Sequence, residues 1–116
     1  MSTITSVETG LYGIPNEEAL EDATQTFDEL ELVTAIIETS EGATGIGFTY
    51  TIGRGGRATK QFLDDVLVPQ LEGTDVAPRQ VYQDLRAETT FVGREGISEF
   101  AIAAVDTALW DAKGKE

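Results

Sequence analysis

The chain has 116 residues, 41% of them hydrophobic, enough for one small folded domain with a modest core. It carries 21 acidic against 8 basic residues, a net charge of −13, and neither cysteine nor histidine. That excludes disulfides, thiolate and imidazole catalysis and Cys/His zinc sites, and it offers nucleic acid or an anionic membrane surface no basic patch. No apolar run approaches the ~18 residues of a membrane span, and no basic-then-apolar segment opens the chain as a secretory signal would. The acids are spread along the whole length, lysine is scarce and threonine abundant. A solvated acidic shell of this kind tolerates high salt, which screens its self-repulsion, so the expectation is a cytoplasmic protein of a halophile.

Alternation predicts a first strand over 3–13, with Ile4, Ser6, Glu8 and Tyr12 on one side and Val7, Thr9 and Leu11 on the other. Ile14-Pro15 interrupts it, and the polar, acidic stretch from Pro15 to Asp28 reads as a long loop, the kind that serves as a lid. A second strand over 29–39 is apolar on both sides: Leu30, Leu32 and Ile36 against Val33, Ala35 and Ile37. It should therefore be central, with cover on each face. After the turn Ser40-Glu41-Gly42, a third strand over 43–52 places Ile46, Phe48, Tyr50 and Ile52 on one face. Gly45 and Gly47 lie opposite, where another backbone can approach closely. One long and one tight connection make a three-stranded antiparallel meander.

Gly53-Arg54-Gly55-Gly56 fits neither a dinucleotide fingerprint nor a Walker loop. It is a Gly-rich strand-to-helix junction with amides free for an anion and Arg54 and Arg57 beside them. A helix over 57–71 carries the stripe Thr59, Phe62, Leu63, Val66 and Leu67, with Pro69 kinking or ending it. A second helix starts near Ala77-Pro78, with Val81, Tyr82 and Leu85 as its stripe, and Phe91-Val92-Gly93 leads to the last helix. That helix, 96–115, has apolar residues at 97, 100, 101, 104, 105, 108, 109 and 112, and its alanines allow close approach. Gly114 stands where a C-terminal cap belongs, with Lys113 and Lys115 at the negative end of the dipole, and Trp110 reads as a core residue.

The carboxylate pairs Glu17/Glu18, Glu21/Asp22 and Asp64/Asp65 read as solvated surface in so acidic a chain. Asp106 and Asp111, five apart on a helix, point to different sides; they share no metal, and either is suited to anchor a neighbouring backbone or an arginine. No catalytic residue and no metal ligand set is assigned. Tyr50, Thr51 and Arg54, at a strand end and the start of a Gly-rich loop, form a polar lip suited to a substrate bound outside this domain.

Two segments carry a family resemblance. Gly45-Ile46-Gly47-Phe48-Thr49-Tyr50-Thr51 resembles the third strand of the N-terminal capping domain of the enolase superfamily. Ala103-Ala104-Val105-Asp106-Thr107-Ala108-Leu109-Trp110-Asp111-Ala112-Lys113-Gly114-Lys115 is similar to the segment that leads mandelate racemase and muconate lactonizing enzymes toward their barrel. The resemblance covers essentially the whole chain, 1–116. It implies an α+β fold, a three-stranded antiparallel β-meander followed by a bundle of about three helices. It also implies a partner, a (β/α)8 barrel that holds Mg2+ and abstracts a proton alpha to a carboxylate, as a dehydratase (lyase) or racemase or cycloisomerase (isomerase) does. The capping domain supplies specificity through two loops, here Ile14 to Asp28 and Tyr50 to Gly56, with Ile14, Tyr50, Thr51 and Arg54 as the substrate-binding positions.

No barrel sequence follows Glu116. The resemblance therefore implies the cap of a longer enzyme, inactive alone, holding no cofactor itself, with Mg2+ expected in the barrel. Its substrate would be a small carboxylate, with a lean toward acid sugars. Apolar surface left bare without the barrel implies self-association, so a homo-oligomer is expected. The alternative is a stand-alone acidic α+β binding or assembly module.

Overall fold

A central strand that is apolar at 33, 35 and 37, and a neighbour that carries glycine at 45 and 47, can bury one sheet face only against something with little bulk. The computed structural model describes residues 2–21 and 26–116, and gives the strand path alone for 16–21 and 26–28. Three antiparallel strands, β1 (Ile4–Glu21), β2 (Thr26–Thr39) and β3 (Thr44–Thr51), lie in the order β1-β2-β3. Three helices follow: α1 (Gly56–Phe62), α2 (Pro78–Glu88) and α3 (Ile97–Gly114). The expected meander and helices are therefore present.

α3 lies directly on β3. A Cβ built on Gly45 would overlap the Ala108 carbonyl oxygen and lie 2.7 Å from the Ala112 Cβ. One built on Gly47 would overlap the Ala104 carbonyl. Ala104, Ala108 and Ala112 repeat every four residues, so one narrow stripe of α3 meets the glycines of β3 backbone to backbone. Ile102, Val105 and Leu109 then reach inward and are buried with Ile4, Val33, Ala35 and Ile37 from the sheet and Leu63, Leu67 and Leu85 from the other helices. Each full burial of such a side chain contributes about 1.5–3 kcal/mol.

Both sheet edges are pinned. Asp111, on the side of α3 next to β3, accepts the Ile46 backbone N–H at 2.9 Å, and Lys115 Nζ donates to Asp111 and to the Thr44 carbonyl, each at 2.9 Å. Asp111 thus anchors a backbone, one of the two roles open to it. At the other edge the start of β1 pairs with 73–76: Ile4 N–H donates to Thr74 O at 2.8 Å and Val76 N–H to Ser2 O at 2.9 Å.

Five expectations need correction. The stretch 15–28 is not a loop: β1 continues to Glu21 and β2 begins at Thr26, making a long two-stranded arm; 22–25 lie outside the described residues. Pro15, which has no N–H to donate, disturbs the ladder without ending the strand, and the register shifts between Pro15 and Leu20. A second shift between Ile4 and Ser6 is a bulge, so Ile4 is buried on the side of Val7 rather than with Glu8. The face of β2 bearing Leu30, Leu32 and Ile36 carries no second layer among the described residues; it is half-buried by its neighbours only. Trp110 is not core: it is 44% exposed on the outer side of α3, with Lys113 Nζ 5.7 Å from its ring centroid. Gly114 is the last helical residue rather than a left-handed cap, and the winding runs on through Lys115. That carries Glu116 to Ser2 and Thr39, whose hydroxyls donate to its carboxylate at 2.7 and 2.8 Å.

The helix predicted over 57–71 changes winding on the way. Past Phe62 it widens to a π-helical turn, Leu63–Leu67, with Val68 N–H bonded to Leu63 O, and tightens to a 3-10 turn, Val68–Gln70, around Pro69. A proline without an N–H cannot continue the regular ladder, and the wider turn precedes it.

Candidate capping site at one end of the sheet

The two strands flanking β2 bring the expected site residues to one end of the sheet. Tyr12, Leu32 and Tyr50 form one cross-strand row, and Ile14 pairs with Leu30 one row further out. By strand parity Ile14 and Tyr50 share the open face; they are 43% and 57% exposed. Arg54 follows on the loop after β3, exposed, and belongs to none of the three ion pairs among the described residues. Arg57 is exposed in the first turn of α1. Antiparallel packing of α3 on β3, with Ala112 at Gly45 and Ala104 at Gly47, carries the half-exposed Ile97 and Phe100 to the same end.

Thr51 differs from the other three. It points to the helix side and is buried, and its hydroxyl donates to Glu31 at 3.3 Å. The same Glu31 oxygen accepts the Gly56 backbone N–H at 3.3 Å. Glu31 therefore ties the end of β3 to the start of α1 and fixes both ends of the intervening loop. One amide that the Gly-rich junction offered to an anion is thus satisfied within the chain. A Cβ at Gly56 would sit 2.8 Å from the Glu31 Cβ, so this close approach requires glycine. Gly53 and Gly55 take left-handed φ of 80° and 91°, which sets the turn between. Glu31 did not stand out in the sequence, although it carried a signal: an acid on the parity of Val33, Ala35 and Ile37, the buried side of a central strand.

Four carboxylates are shifted from their usual range: Asp111 and Glu116, lowered by the hydrogen bonds already described, and Asp64 and Asp106. Burial opposes ionisation of Asp64, but hydrogen bonds from Lys60 and Thr9 outweigh it and hold the carboxyl below its usual range. Burial, then the nearby Glu99 carboxylate, raises Asp106 above its usual range. Asp106 and Glu99 line a shallow groove of about 480 Å3 between α2 and α3, with Tyr82 and Trp110. Glu99 is itself committed, accepting from Tyr82 Oη at 2.9 Å and Arg86 at 3.1 Å. Among the described residues no three His, Cys, Asp or Glu side chains come together to hold a metal ion. No helix among them is long and apolar enough to cross a membrane.

This arrangement, a three-stranded meander under three helices with an exposed tip, is matched by known proteins. Residues 6–116 match the model of the mandelate racemase / muconate lactonizing enzyme, N-terminal domain. The chain belongs to this family. It is similar to the 3,6-anhydro-alpha-L-galactonate cycloisomerase of Streptomyces coelicolor, 42% identical over 113 residues, which are 96% of this chain and 31% of that enzyme. Its fold is similar to that of a racemase from Streptomyces coelicolor solved with bound magnesium, with a TM-score of 0.92 and 42% identity over 96% of this chain and 32% of that one. It is also similar to L-talarate dehydratase from Polaromonas sp. JS666 complexed with Mg and L-glucarate: TM-score 0.90, 30% identity, 99% of this chain and 32% of that one. The chain thus spans less than a third of the length of these relatives, and it corresponds to their N-terminal domain.

Proposed function

We propose that this chain is the cap and specificity domain of a Mg2+-dependent acid-sugar dehydratase, racemase or cycloisomerase, and that it turns nothing over by itself. The observation that carries the reading is the tip: Ile14, Tyr50 and Arg54 stand exposed at one end of a sheet whose other end and edges are tied down. The names of the relatives support the substrate class, since they include a galactonate-derived cycloisomerase and a talarate dehydratase. Mg2+ accompanies two of the similar full-length structures, and we assign it to the barrel partner.

In this reading Arg54 donates to a substrate carboxylate, Tyr50 presents a phenol to sugar hydroxyls, and Ile14 supplies apolar cover from the arm. Thr51 acts as a positioning residue through Glu31. Closing such a tip over a barrel mouth excludes water and strengthens each polar contact beneath it. We further propose a homo-oligomer, supported by the exposed apolar side chains of the open sheet face, in the cytoplasm of a halophile, supported by the acid-rich, lysine-poor composition.

The test is a chimera in which this chain replaces the matching 31% of the Streptomyces coelicolor cycloisomerase. The chimera should turn over an acid sugar with Mg2+, and the chain alone should not. Arg54→Ala should raise KM about ten-fold or more, the worth of one hydrogen bond to a charged group. A folded chimera whose kinetics ignore changes at both Tyr50 and Arg54 would refute the reading.

A further inference from the structure

The row Gly13–Glu31–Thr51 is the last that all three strands share. Past it the sheet forks: β1 and β2 run on as the arm that carries Ile14, and β3 leaves as the loop that carries Arg54. Glu31 stands on the middle strand at the fork. Its backbone is paired between the roots of both elements. Its half-buried side chain turns to the loop, where one carboxylate oxygen takes the Thr51 hydroxyl and the Gly56 N–H. The far end of the loop has a second hold. Gly55 O accepts from the Thr59 N–H at 2.9 Å and from the Thr59 hydroxyl at 2.7 Å, and Thr59 is fully buried. Ile52 to Arg54 are thus strung between fixed posts, with Gly53 at a left-handed φ. We propose that Glu31 is a positioning residue that holds the Arg54 loop preformed and in register with the arm, so that the guanidinium meets a substrate carboxylate from a fixed mount and not from a lid that orders on binding. The proposal deepens the capping reading and rests on it for what Arg54 meets.

Glu31 serves here as an acceptor rather than as a charge. Both its donors are neutral, and a glutamine amide oxygen on the same stem can take them, whereas alanine cannot. The arm is held by its own ladder of backbone pairs, so losing the carboxylate frees Arg54 and leaves Ile14 in place. That asymmetry separates positioning from a general loss of stability, which would weaken both elements alike. A loop ordered in advance spares binding the cost of ordering it. Loss of the mount therefore shows in KM, while the reacting atoms, which Glu31 does not touch, keep their rate. The ceiling on the effect is the ~ten-fold assigned to Arg54 itself.

Two measurements test this. In the 116-residue chain, amide exchange at Gly56 should speed about ten-fold in Glu31→Ala, the worth of one hydrogen bond, and stay near wild type in Glu31→Gln, with the amides of α3 protected throughout. In the chimera, with 3,6-anhydro-alpha-L-galactonate as substrate, Glu31→Ala should raise KM several-fold, kcat should hold within about two-fold, and Glu31→Gln should restore KM. Added to Arg54→Ala, Glu31→Ala should raise KM no further; added to Ile14→Ala, it should act in full. Unchanged Gly56 exchange in a folded Glu31→Ala variant overturns the proposal. So does a loss that falls on kcat, that adds in full to Arg54→Ala, or that Glu31→Gln does not repair. A chimera that ignores both Tyr50 and Arg54 sinks the capping reading and the positioning role with it, even where Gly56 exchange responds. A chimera that needs Arg54 but not Glu31 overturns the positioning role alone.

Discussion

Replacing Gly47 by alanine should destabilise the domain, although the same change at most open sites is neutral or helpful. A Cβ at this position would overlap the Ala104 carbonyl, lie 2.5 Å from the Ala108 nitrogen and 3.1 Å from the Thr107 Cβ. The first two neighbours are helix backbone, so no rotamer change relieves them. Ordinary carbon contacts need ~3.5 Å, so α3 must lift by about 1 Å, and a gap of 0.5–1 Å forfeits a quarter to a half of each contact it opens. Overpacking of this kind costs about 1–3 kcal/mol, and a clash with two backbone atoms of α3 belongs near 3. Lower chain entropy in the unfolded state returns ~0.4–1 kcal/mol. The net loss is about 2–3 kcal/mol, or roughly 10 °C in Tm at ~4 °C per kcal/mol for a domain of this size. Gly114→Ala is the control. Gly114 ends α3 with nothing within 4 Å and without a positive φ, so alanine should stabilise by up to about 1 kcal/mol. Urea and thermal melts read both. An unchanged or raised Tm for Gly47→Ala would show that α3 does not rest on β3 as described.

Asp106→Asn should raise Tm at neutral pH. Burial and then Glu99 hold this acid above its usual range, so its ionised form opposes folding once the pH exceeds the unfolded value. The gain should fade as pH falls below the carboxylate range, and a variant that is less stable at pH 7 would contradict the assignment. Salt should also stabilise the wild-type chain: three favourable ion pairs among the described residues stand against 21 acids, so screening removes more repulsion than attraction. Tm should climb from 0.1 to 2 M KCl, and a flat or falling curve would count against adaptation to a halophilic cytoplasm.

The contact between α3 and β3 was legible because both partners announce it: glycine on alternate residues of a strand and small residues every fourth position on a helix have no other common purpose. The parity of β2 and β3 and the start of α2 at Pro78 were legible for similar reasons. The arm was not. Its residues, among them Asn16, Glu17 and Glu18, have poor strand propensity, and what extends the strands is a backbone ladder that composition does not encode. The bulge near Thr5 was hidden because alternation counts every residue as one step. Trp110 was misread since size and apolarity favour burial, whereas its helix position, away from the Ala104, Ala108 and Ala112 stripe, faces outward. Glu31 was passed over as one acid among 21, when its parity set it apart.

The same anchors suit one frame to the proposed capping role. β3 is clamped on its buried face by the Ala104 and Ala108 backbone and at its edge by Asp111, so its outgoing end has a fixed position and direction. Glu31 then holds both ends of the loop 52–55 through Thr51 and Gly56, while Arg54 between them is exposed. Changes at Arg54 or Tyr50 therefore leave the core packing untouched, whereas changes at Gly47 or Glu31 move the whole tip. Under the proposed capping role, the first pair of positions can vary at little cost in stability while the frame beneath them stays fixed.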